Sequence, residues 1–267
     1  MSDSLPAFYI PHGGGPCFDM DWPQPYQRDV DALASWLEDL PNHIEVKPRA
    51  IVMITAHWQS MEFTVSTNPQ PSMLYDYSGF PAHTYHLRYD AQGSPELASE
   101  IVSLLQAAGI RVRTDDSRGF DHGTFIPMRK IYPAADIPVV QLSIKRNYDP
   151  AEHIALGQAL KPLRDTGVLI LGSGMSFHNM GGFMNTRFAQ DSVLFHEWLT
   201  ETVNSETSVR NERLLHWVNA PFARNVHPEE DHLIPLMVVA GAAGDNAGKK
   251  VFEGPFLGPV INAYQFG

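Results

Sequence analysis

The sequence contains a single cysteine, Cys17, among its 267 residues. A disulfide within the chain and a zinc site built from cysteines are therefore both excluded. Basic residues are also scarce, because 19 Lys and Arg stand against 30 Asp and Glu and leave a net charge of -11. Nucleic-acid-binding proteins usually carry a basic face, so we expect no nucleic-acid partner.

Long apolar runs are missing as well. The longest, such as residues 168–171, are far too short to span a bilayer, and Met1 to Ser4 lack the basic and apolar segments of a signal peptide. We therefore expect a cytoplasmic protein without membrane contact. With 43% hydrophobic residues and no repeat or polar linker, the chain is expected to form one domain over residues 1–267. The sequence leaves its oligomeric state, a homo-oligomer included, open.

Short apolar runs alternate with amphipathic segments along the chain. The runs at 51–54, 139–142 and 168–171 are rich in β-branched residues and predict buried strands. Apolar spacing and capping residues predict helices from Val30 to Leu40, between Ser94 and Gly109, from Tyr148 to Leu163 and from Asp191 to Val203. This alternation predicts an α/β fold with a mostly parallel central sheet flanked by helices.

Three histidines follow predicted strands. His12 comes after a short apolar run, His57 after the strand at 51–54, and His178 after the strand at 168–171. In open α/β sheets, ligands bind beyond the carboxyl ends of the strands, so we expect these side chains at one edge of the sheet. Neutral imidazole is the commonest protein ligand of transition metals, and the pattern therefore favours a metal site there. Glycines could let the backbone approach this site closely, at positions 13–15, 123, 172 and 174.

Other histidines have more than one interpretation. His178 is a metal ligand, a nearby acid/base or a loop-stabilising residue. His232 is expected to open a helix from Leu233 to Ala240, as a ligand or as a solvated residue, and His227 could cap that helix. His122 is expected in a turn whose Asp121 orients its imidazole.

The remaining histidines are expected to have no chemical role or an undecided one. Four lie on predicted helices or their ends and are interpreted as structural or solvated: His43, His153, His196 and His216. His83 and His86 lie in an aromatic loop from Tyr75 to Tyr89, which either lines a pocket or packs on the surface.

Seven motifs occur in an order that is typical of one enzyme family. They are His-Gly at 12–13, Ala-His-Trp at 56–58, Gly-Phe-Pro at 79–81, Gly-Phe-Asp-His-Gly at 119–123, Pro-Val-Val-Gln-Leu-Ser at 138–143, Gly-Ser-Gly at 172–174 followed by His-Asn at 178–179, and His-Pro-x-x-x-His-Leu-x-Pro-Leu at 227–236. On these motifs the chain resembles the class III extradiol ring-cleavage dioxygenases, the superfamily of the protocatechuate 4,5-dioxygenase catalytic subunit. It is most similar to the DOPA 4,5-dioxygenase type.

The resemblance implies a function for each of these histidines. His12, His57 and His232 would bind the metal, and His178 would be either the acid/base or a fourth ligand. His122 would touch substrate or oxygen, and His227 is expected beside the substrate. Many members use two histidines and a glutamate, whereas His232 matches the third position here, so the usual carboxylate ligand is absent. The residues Pro-His-Gly-Gly-Gly-Pro at 11–16 also depart from the more common Gly-His-Gly-Ser-Pro.

The resemblance further implies a catalytic domain that opens the ring of a DOPA-like or related catechol. The partners would be a small aromatic diol and O₂, and the cofactor Fe(II), with Zn(II) as a metal that purified protein could carry. Two alternatives stay open: a zinc-dependent hydrolase, with Glu229, Glu230 or Asp231 as its base, and a non-enzymatic, partner-binding member of the same fold. A carboxylate on the substrate would need a cation, and the candidates are Arg129, Lys145, Arg146 and Arg224.

Overall fold

The computed structural model describes residues 4–267. Residues 1–3, part of the N-terminal segment discussed above, lie outside the described residues. Within the described part, an eight-stranded sheet flanked by helices confirms the expected α/β fold. The strands are β1 (Ala7–Pro11), β2 (Ala50–Ser60), β3 (Phe63–Ser66), β4 (Val112–Asp115), β5 (Val139–Lys145), β6 (Val168–Gly174), β7 (Gly248–Pro255) and β8 (Val260–Phe266). The helices are α1 (Tyr26–Asp39), α2 (Pro95–Ala107), α3 (His122–Ile131), α4 (Pro150–Leu160), α5 (Pro162–Asp165), α6 (Ala189–Asn204), α7 (Thr207–Leu215), α8 (Ala223–Val226) and α9 (Ile234–Ala242).

The sheet is parallel at its centre and has antiparallel pairing on both sides of the centre. Its strand order is β4-β3-β5-β2-β6-β1-β8-β7. The four central strands, β5, β2, β6 and β1, run parallel to one another. Strands β8 and β7 extend the sheet with antiparallel pairing, and β3 runs antiparallel to β5. The carboxyl ends of the central strands therefore meet at a single edge of the sheet.

Strand β2 is longer than its apolar run predicts. The run 51–54 is fully buried, as expected of a central strand, but the strand continues to Ser60. Its register against β5 shifts between Thr55 and Gln59. His57 therefore lies within an irregular part of β2, and the expectation that it follows the strand is wrong by a few residues.

Helix α2 begins at the capping residue that the sequence indicates. The Ser94 hydroxyl accepts a hydrogen bond from the Leu97 amide at 3.2 Å, and Pro95 starts α2. The predicted helix from Tyr148 to Leu163 is instead divided into α4 and α5. Proline at position 162 has no amide hydrogen to continue the first helix, so it begins the second.

Helix α9 is buried along its whole length and contacts β1, β2 and β6. Its residues are apolar on every side, as expected of a helix inside the core. It starts two residues after His232, so its packing holds that histidine close to the central strands. No helix within residues 4–267 has the length and apolarity needed to cross a membrane.

Candidate metal centre

The ends of β1 and β6 fix two histidines against each other. The His12 amide, directly after β1, donates to the Gly174 carbonyl at 3.1 Å. The His232 carbonyl accepts from the Met175 amide at 3.2 Å and from the Tyr9 hydroxyl at 2.7 Å. A Cβ atom at position 174 would overlap the His232 carbonyl oxygen, so only glycine allows this approach.

A second close approach positions His57 beside the start of α3. The His57 amide donates to the Thr55 hydroxyl at 3.1 Å. A Cβ atom on Gly123 would lie 2.7 Å from that hydroxyl oxygen and 2.9 Å from His57 Cδ2. The absence of a side chain at this position lets His122 come next to His57, with ring centroids 3.8 Å apart. Both approaches agree with the expectation that glycines admit backbone to the site.

Three imidazole nitrogens converge on one point. His57 Nε2 lies 3.0 Å from His12 Nε2 and 3.3 Å from His232 Nε2. Nitrogens that bind one metal at about 2.1 Å in octahedral or tetrahedral geometry lie about 3.0–3.4 Å apart. Both spacings from His57 Nε2 therefore fit ligands of a single ion.

The groups behind the rings bear on the tautomers of His12 and His232. Ser173 donates its hydroxyl hydrogen to the Gly123 carbonyl at 2.5 Å, so it accepts from His12 Nδ1 at 3.0 Å. His232 Nδ1 lies 2.9 Å from Asp231 Oδ2, which can only accept when ionised. In His12, Nε2 therefore carries a lone pair that faces His57 Nε2, and the ionised Asp231 beside His232 Nδ1 favours the same tautomer in His232. A polar partner behind Nδ1 and an available Nε2 lone pair are the arrangement of metal-ligating histidines.

Asp76 orients the other side of the cluster. Its carboxylate accepts from His122 Nδ1 at 2.8 Å and from the His122 amide at 2.9 Å, and it lies 3.7 Å from His57 Nδ1. The sequence assigned this orienting role to Asp121, and that expectation is wrong. Asp121 instead caps α3, accepting from the Thr124 amide at 3.1 Å, and pairs with Arg118 at 2.9 Å.

The environment keeps the three converging imidazoles neutral. Burial, and then the neighbouring imidazoles, hold the pKa values of His12 and His57 well below their usual value. Burial and the adjacent His178 lower the pKa of His232 to about 4. Burial alone would raise the pKa of Asp231, but its contacts with His178 and His232 outweigh burial and hold the pKa well below the usual range. Neutral histidine is the form that binds metal, and an ionised Asp231 keeps His232 correctly oriented.

The His178 ring is stacked on the His232 ring. The two rings stack with centroids 3.3 Å apart and planes inclined by 17°. His178 Nδ1 lies 3.7 Å from Asp231 Oδ1, and its amide donates to the Val226 carbonyl at 3.0 Å. A nitrogen lone pair lies in the plane of its ring. A metal ion bound in the ring plane of His232 would therefore lie well outside the ring plane of His178.

The histidine cluster forms one end of a cavity of about 440 Å³. The aromatic loop contributes Tyr77 and Phe80 to the wall, so the alternative in which this loop lines a pocket is confirmed. The lining residues are His12, Gly13, Gly14, Gly15, Trp22, His57, Tyr77, Ser78, Phe80, His122, Met175, His178, Met180, Phe183, Met184, His232, Phe256 and Leu257. The cavity is large enough for a substituted aromatic ring beside the histidines.

The structure brings five of the six predicted site histidines to this cavity. The sixth, His227, is fully buried away from it, and its Nε2 lies 2.9 Å from the Ser176 carbonyl. Its ring packs between Phe195 and Trp217. His227 therefore cannot touch a substrate in the cavity in this structure.

The other histidines and the candidate bases lie outside the cavity. His153 and His196 are buried and hydrogen-bonded, and His43 and His216 are exposed, each near an acidic side chain. Glu230 pairs with Arg224 at 2.8 Å, and Asp231 lies behind the histidines rather than in the cavity wall. His83 is hydrogen-bonded outside the cavity, with its Nε2 atom 2.9 Å from the Asp19 carbonyl oxygen.

Metal-ligand geometry groups the cavity residues in two ways. His12, His57 and His122 form one set whose ligand atoms lie within 4.8 Å of one another, and His178, Asp231 and His232 form another. These sets adjoin, because His57 Nε2 lies 3.3 Å from His232 Nε2. The residues present could thus hold a metal ion.

The fold and this site define the class of protein. The family of the catalytic LigB subunit of aromatic ring-opening dioxygenase matches residues 6–261, and the chain belongs to this family. This finding confirms the family resemblance that the sequence motifs indicate.

Individual relatives share most of their length with this chain. A 4,5-DOPA dioxygenase extradiol of Beta vulgaris is 38% identical, over 97% of this chain and 96% of that protein. Dioxygenase tasH of Hapsidospora irregularis is 35% identical, over 98% and 85%. The crystal structure of an uncharacterized protein from Escherichia coli K12 superimposes with a TM-score of 0.76 at 29% identity, covering 98% of this chain and 100% of that one.

Several residues of the site escape sequence reasoning. Asp76 and Ser173 orient histidines from behind, and Trp22 shapes the cavity. For Asp231 a signal was present, since it directly precedes His232, but it suggested a hydrolytic base. No comparable signal marks Asp76, because 46 residues separate it from His122.

Proposed function

We propose that this protein opens the ring of a catechol-type substrate, of the DOPA type or related to it, with O₂ at a non-haem Fe(II) centre. The observation that carries the proposal is the convergence of three neutral imidazole nitrogens at 3.0 and 3.3 Å inside a cavity of ring size. When bound, Fe(II) supplies a centre at which the catechol and O₂ are brought together and activated. Membership of a ring-opening dioxygenase family supports the same reaction.

In this proposal His12, His57 and His232 hold the metal. His122 is the competing third ligand, since its ligand atoms also lie near those of His12 and His57. The 3.3 Å spacing of the His232 and His57 nitrogens favours His232, because it matches ligands of one ion. Three protein ligands on one side leave positions for substrate and O₂.

His178 acts as the acid/base in this proposal. Its ring is stacked on His232 and thus does not address the point at which the three Nε2 atoms converge. It lines the cavity, where it can take a proton from a substrate hydroxyl and later return one. Asp231, which contacts both His178 and His232, holds the two rings in this relation.

His122 serves as the substrate-facing histidine. Its Nδ1 is committed to Asp76, which leaves Nε2 as the atom available to a ligand in the cavity. The Tyr77 ring lies 5.9 Å from the His122 ring, and its hydroxyl donates to the Thr84 carbonyl at 2.6 Å. Tyr77 is therefore a fixed wall against which a planar ring can be held beside His122.

An anaerobic assay tests the proposal. Protein reconstituted with Fe(II) is mixed with 4-methylcatechol under argon and then exposed to air. We expect oxygen uptake equal to the ring-opened product that absorbance and mass spectrometry detect. Zinc-loaded protein is the matched control and should be inert, because zinc has no redox chemistry. Oxygen uptake without a ring-opened product, or equal rates with zinc, would refute the proposed function. Ester hydrolysis by the zinc form would favour the hydrolase.

A further inference from the structure

We propose that the cavity selects catechols whose ring substituent is uncharged and apolar, in preference to those with an amino-acid or carboxylate side chain. This inference rests on the proposed function and, among the catechols it allows, ranks alkyl catechols above DOPA itself. It concerns the part of the cavity beyond the histidines, where a ring substituent would lie.

The wall beyond the histidines is apolar. Its main side chains are Trp22, Phe80, Met180, Phe183, Phe256 and Leu257. Among the residues that the structure describes, the lining contains no Lys, Arg, Asp or Glu. The polar side chains of the lining are thus the histidines, where the ring hydroxyls would bind, and the uncharged Trp22, Tyr77 and Ser78.

Two arginines outside the lining are held by other partners. Arg129, which the sequence suggests for a substrate carboxylate, contacts both oxygens of Asp19, at 2.6 and 3.1 Å. Arg118 donates to Asp121 at 2.9 Å and to the His57 carbonyl at 3.2 Å, with its guanidinium over the Trp58 ring. Neither side chain lines the cavity.

The remaining candidates are engaged elsewhere too. Lys145 pairs with Glu152, and Arg224 pairs with Glu230 at 2.8 Å. Arg146 donates to the Gln59 carbonyl at 3.3 Å on the exposed side of β2. None of these three residues belongs to the cavity lining. The sequence-based expectation of a carboxylate partner therefore has no counterpart in this cavity.

The aromatic side chains of the lining are fixed by packing. Phe80 lies 5.5 Å from Tyr77 between ring centroids, and a Cβ on Gly15 would come within 3.0 Å of its ring. Elsewhere in the lining, Phe183 packs against Phe177 at 5.5 Å and Phe256 at 6.1 Å between ring centroids. A ring substituent would meet these aromatic side chains.

This environment discriminates by charge. A carboxylate placed against the apolar wall would lose water without gaining a cation, which is unfavourable. An alkyl chain there would leave water for an apolar surface and is stabilised. Since even one methylene in an apolar pocket changes specificity by about 10-fold or more, we expect at least about a 10-fold preference for the alkyl catechol.

Four catechols of similar length make the test. They are 4-propylcatechol, 3-(3,4-dihydroxyphenyl)propionate, dopamine and DOPA, which carry a neutral, anionic, cationic and zwitterionic chain. Binding to zinc-loaded protein is measured by calorimetry under argon, where no ring opening occurs. The ratio of kcat/KM values is then measured with Fe(II)-loaded protein in air. We expect 4-propylcatechol to lead the other three in both measurements.

A pair of substitutions at exposed methionines locates the effect. Met180 lines the cavity and is 74% exposed, whereas Met61 is 76% exposed and lies outside it. Met180→Lys should reduce the preference for 4-propylcatechol over the propionate by about 10-fold, because it adds the missing cation at the mouth. Met61→Lys makes the same chemical change on the surface and should leave the preference unaltered.

The outcomes separate this inference from the proposed function. Tighter binding of the propionate or DOPA than of 4-propylcatechol overturns the inference, whether or not ring opening occurs. Binding in the expected order without ring-opened product supports the inference and refutes the proposed function. If none of the four catechols binds, both are wrong. An equal response of Met180→Lys and Met61→Lys overturns the assignment of the selective wall.

Discussion

Two groups of buried histidines in this protein differ in what their nitrogens face. His153 and His196 meet ordinary hydrogen-bond partners, such as the Lys145 amide at 3.0 Å and the Ser176 hydroxyl at 2.8 Å. His12, His57 and His232 instead place their Nε2 atoms against one another. Burial is the same in kind for both groups, so burial alone does not identify a ligand. What separates them is whether the protein itself satisfies both ring nitrogens.

The comparison is tested most strongly by removing one converging imidazole. His57→Ala should reduce metal content and ring opening to background while circular dichroism keeps the native spectrum, because the ligand contributes to the site and not to the core. His196→Leu should keep its metal, since its nitrogens face Ser192 and Ser176. Elemental analysis of the two purified variants makes the comparison. Full occupancy in His57→Ala would remove this residue from the ligand set.

The second largest effect is expected at His178. His178→Ala should retain the metal and lose about 10²–10⁴ in rate, the usual loss of a general acid/base. The reason is its stacked position, out of line with the converging nitrogens. Metal content and kcat are measured on the same preparation. If metal content falls together with kcat, His178 is a metal ligand and joins His12, His57 and His232 as a fourth.

The carboxylates behind the rings should give a smaller effect. Asp231→Asn and Asp76→Asn each remove a charge beside a site histidine, at 2.9 Å from His232 and 2.8 Å from His122. Loss of such an orienting group typically costs about 10–100-fold in metal affinity or activity. Asp231→Asn should weaken metal binding, since Asp231 lies 2.9 Å from the proposed ligand His232. Asp76→Asn should reduce mainly the activity, since Asp76 is hydrogen-bonded to His122 and lies 3.7 Å from the ligand His57. Competition with a chelator measures affinity. Asp136→Asn, in an exposed pair with Lys47, is the control and should change neither.

The hydrogen-bonded histidines should affect stability instead. His196→Leu deletes two buried hydrogen bonds and is expected to cost about 1–3 kcal/mol in the free energy of unfolding. Urea denaturation at neutral pH measures this difference. Unchanged stability would show that His196 is not the structural residue its contacts indicate.

The smallest predicted effect is the pH dependence of stability from these two histidines. Burial lowers the pKa values of His153 and His196 from the usual 6.5 to about 4. The unfolded chain therefore binds protons first as pH falls, so stability is full above pH 6.5 and decreases towards pH 4. Each histidine contributes a slope of at most about 1.4 kcal/mol per pH unit. His196→Leu should show a shallower slope over this window than the unchanged protein, and an identical slope would contradict the linkage.

The sequence predicts the fold well because its local signals agree with the tertiary structure. Uninterrupted β-branched runs correspond to the buried parallel strands β2, β5 and β6. Ser94 and Pro95 start α2 as their capping chemistry requires. Their positions after strands also identified His12 and His178 as site residues, since parallel strands bring their carboxyl ends together.

The parts of the site that sequence could not predict depend on contacts between distant segments. Asp76 reaches His122 across 46 residues, and no local pattern marks it. Asp121 looked like the orienting group because it is adjacent in sequence, yet helix capping and Arg118 occupy it. His227 shares a motif with His232, but the chain turns it into the core beneath Trp217. Adjacency in sequence indicates a shared segment and leaves the direction of each side chain undetermined.

The central claim is that three imidazoles of this chain hold one metal ion. Anomalous diffraction at the zinc edge from crystals of zinc-loaded protein tests it directly. We expect a single strong peak at about 2.1 Å from the Nε2 atoms of His12, His57 and His232. A peak coordinated by His122 in place of His232, or one between His178 and Asp231, would contradict it.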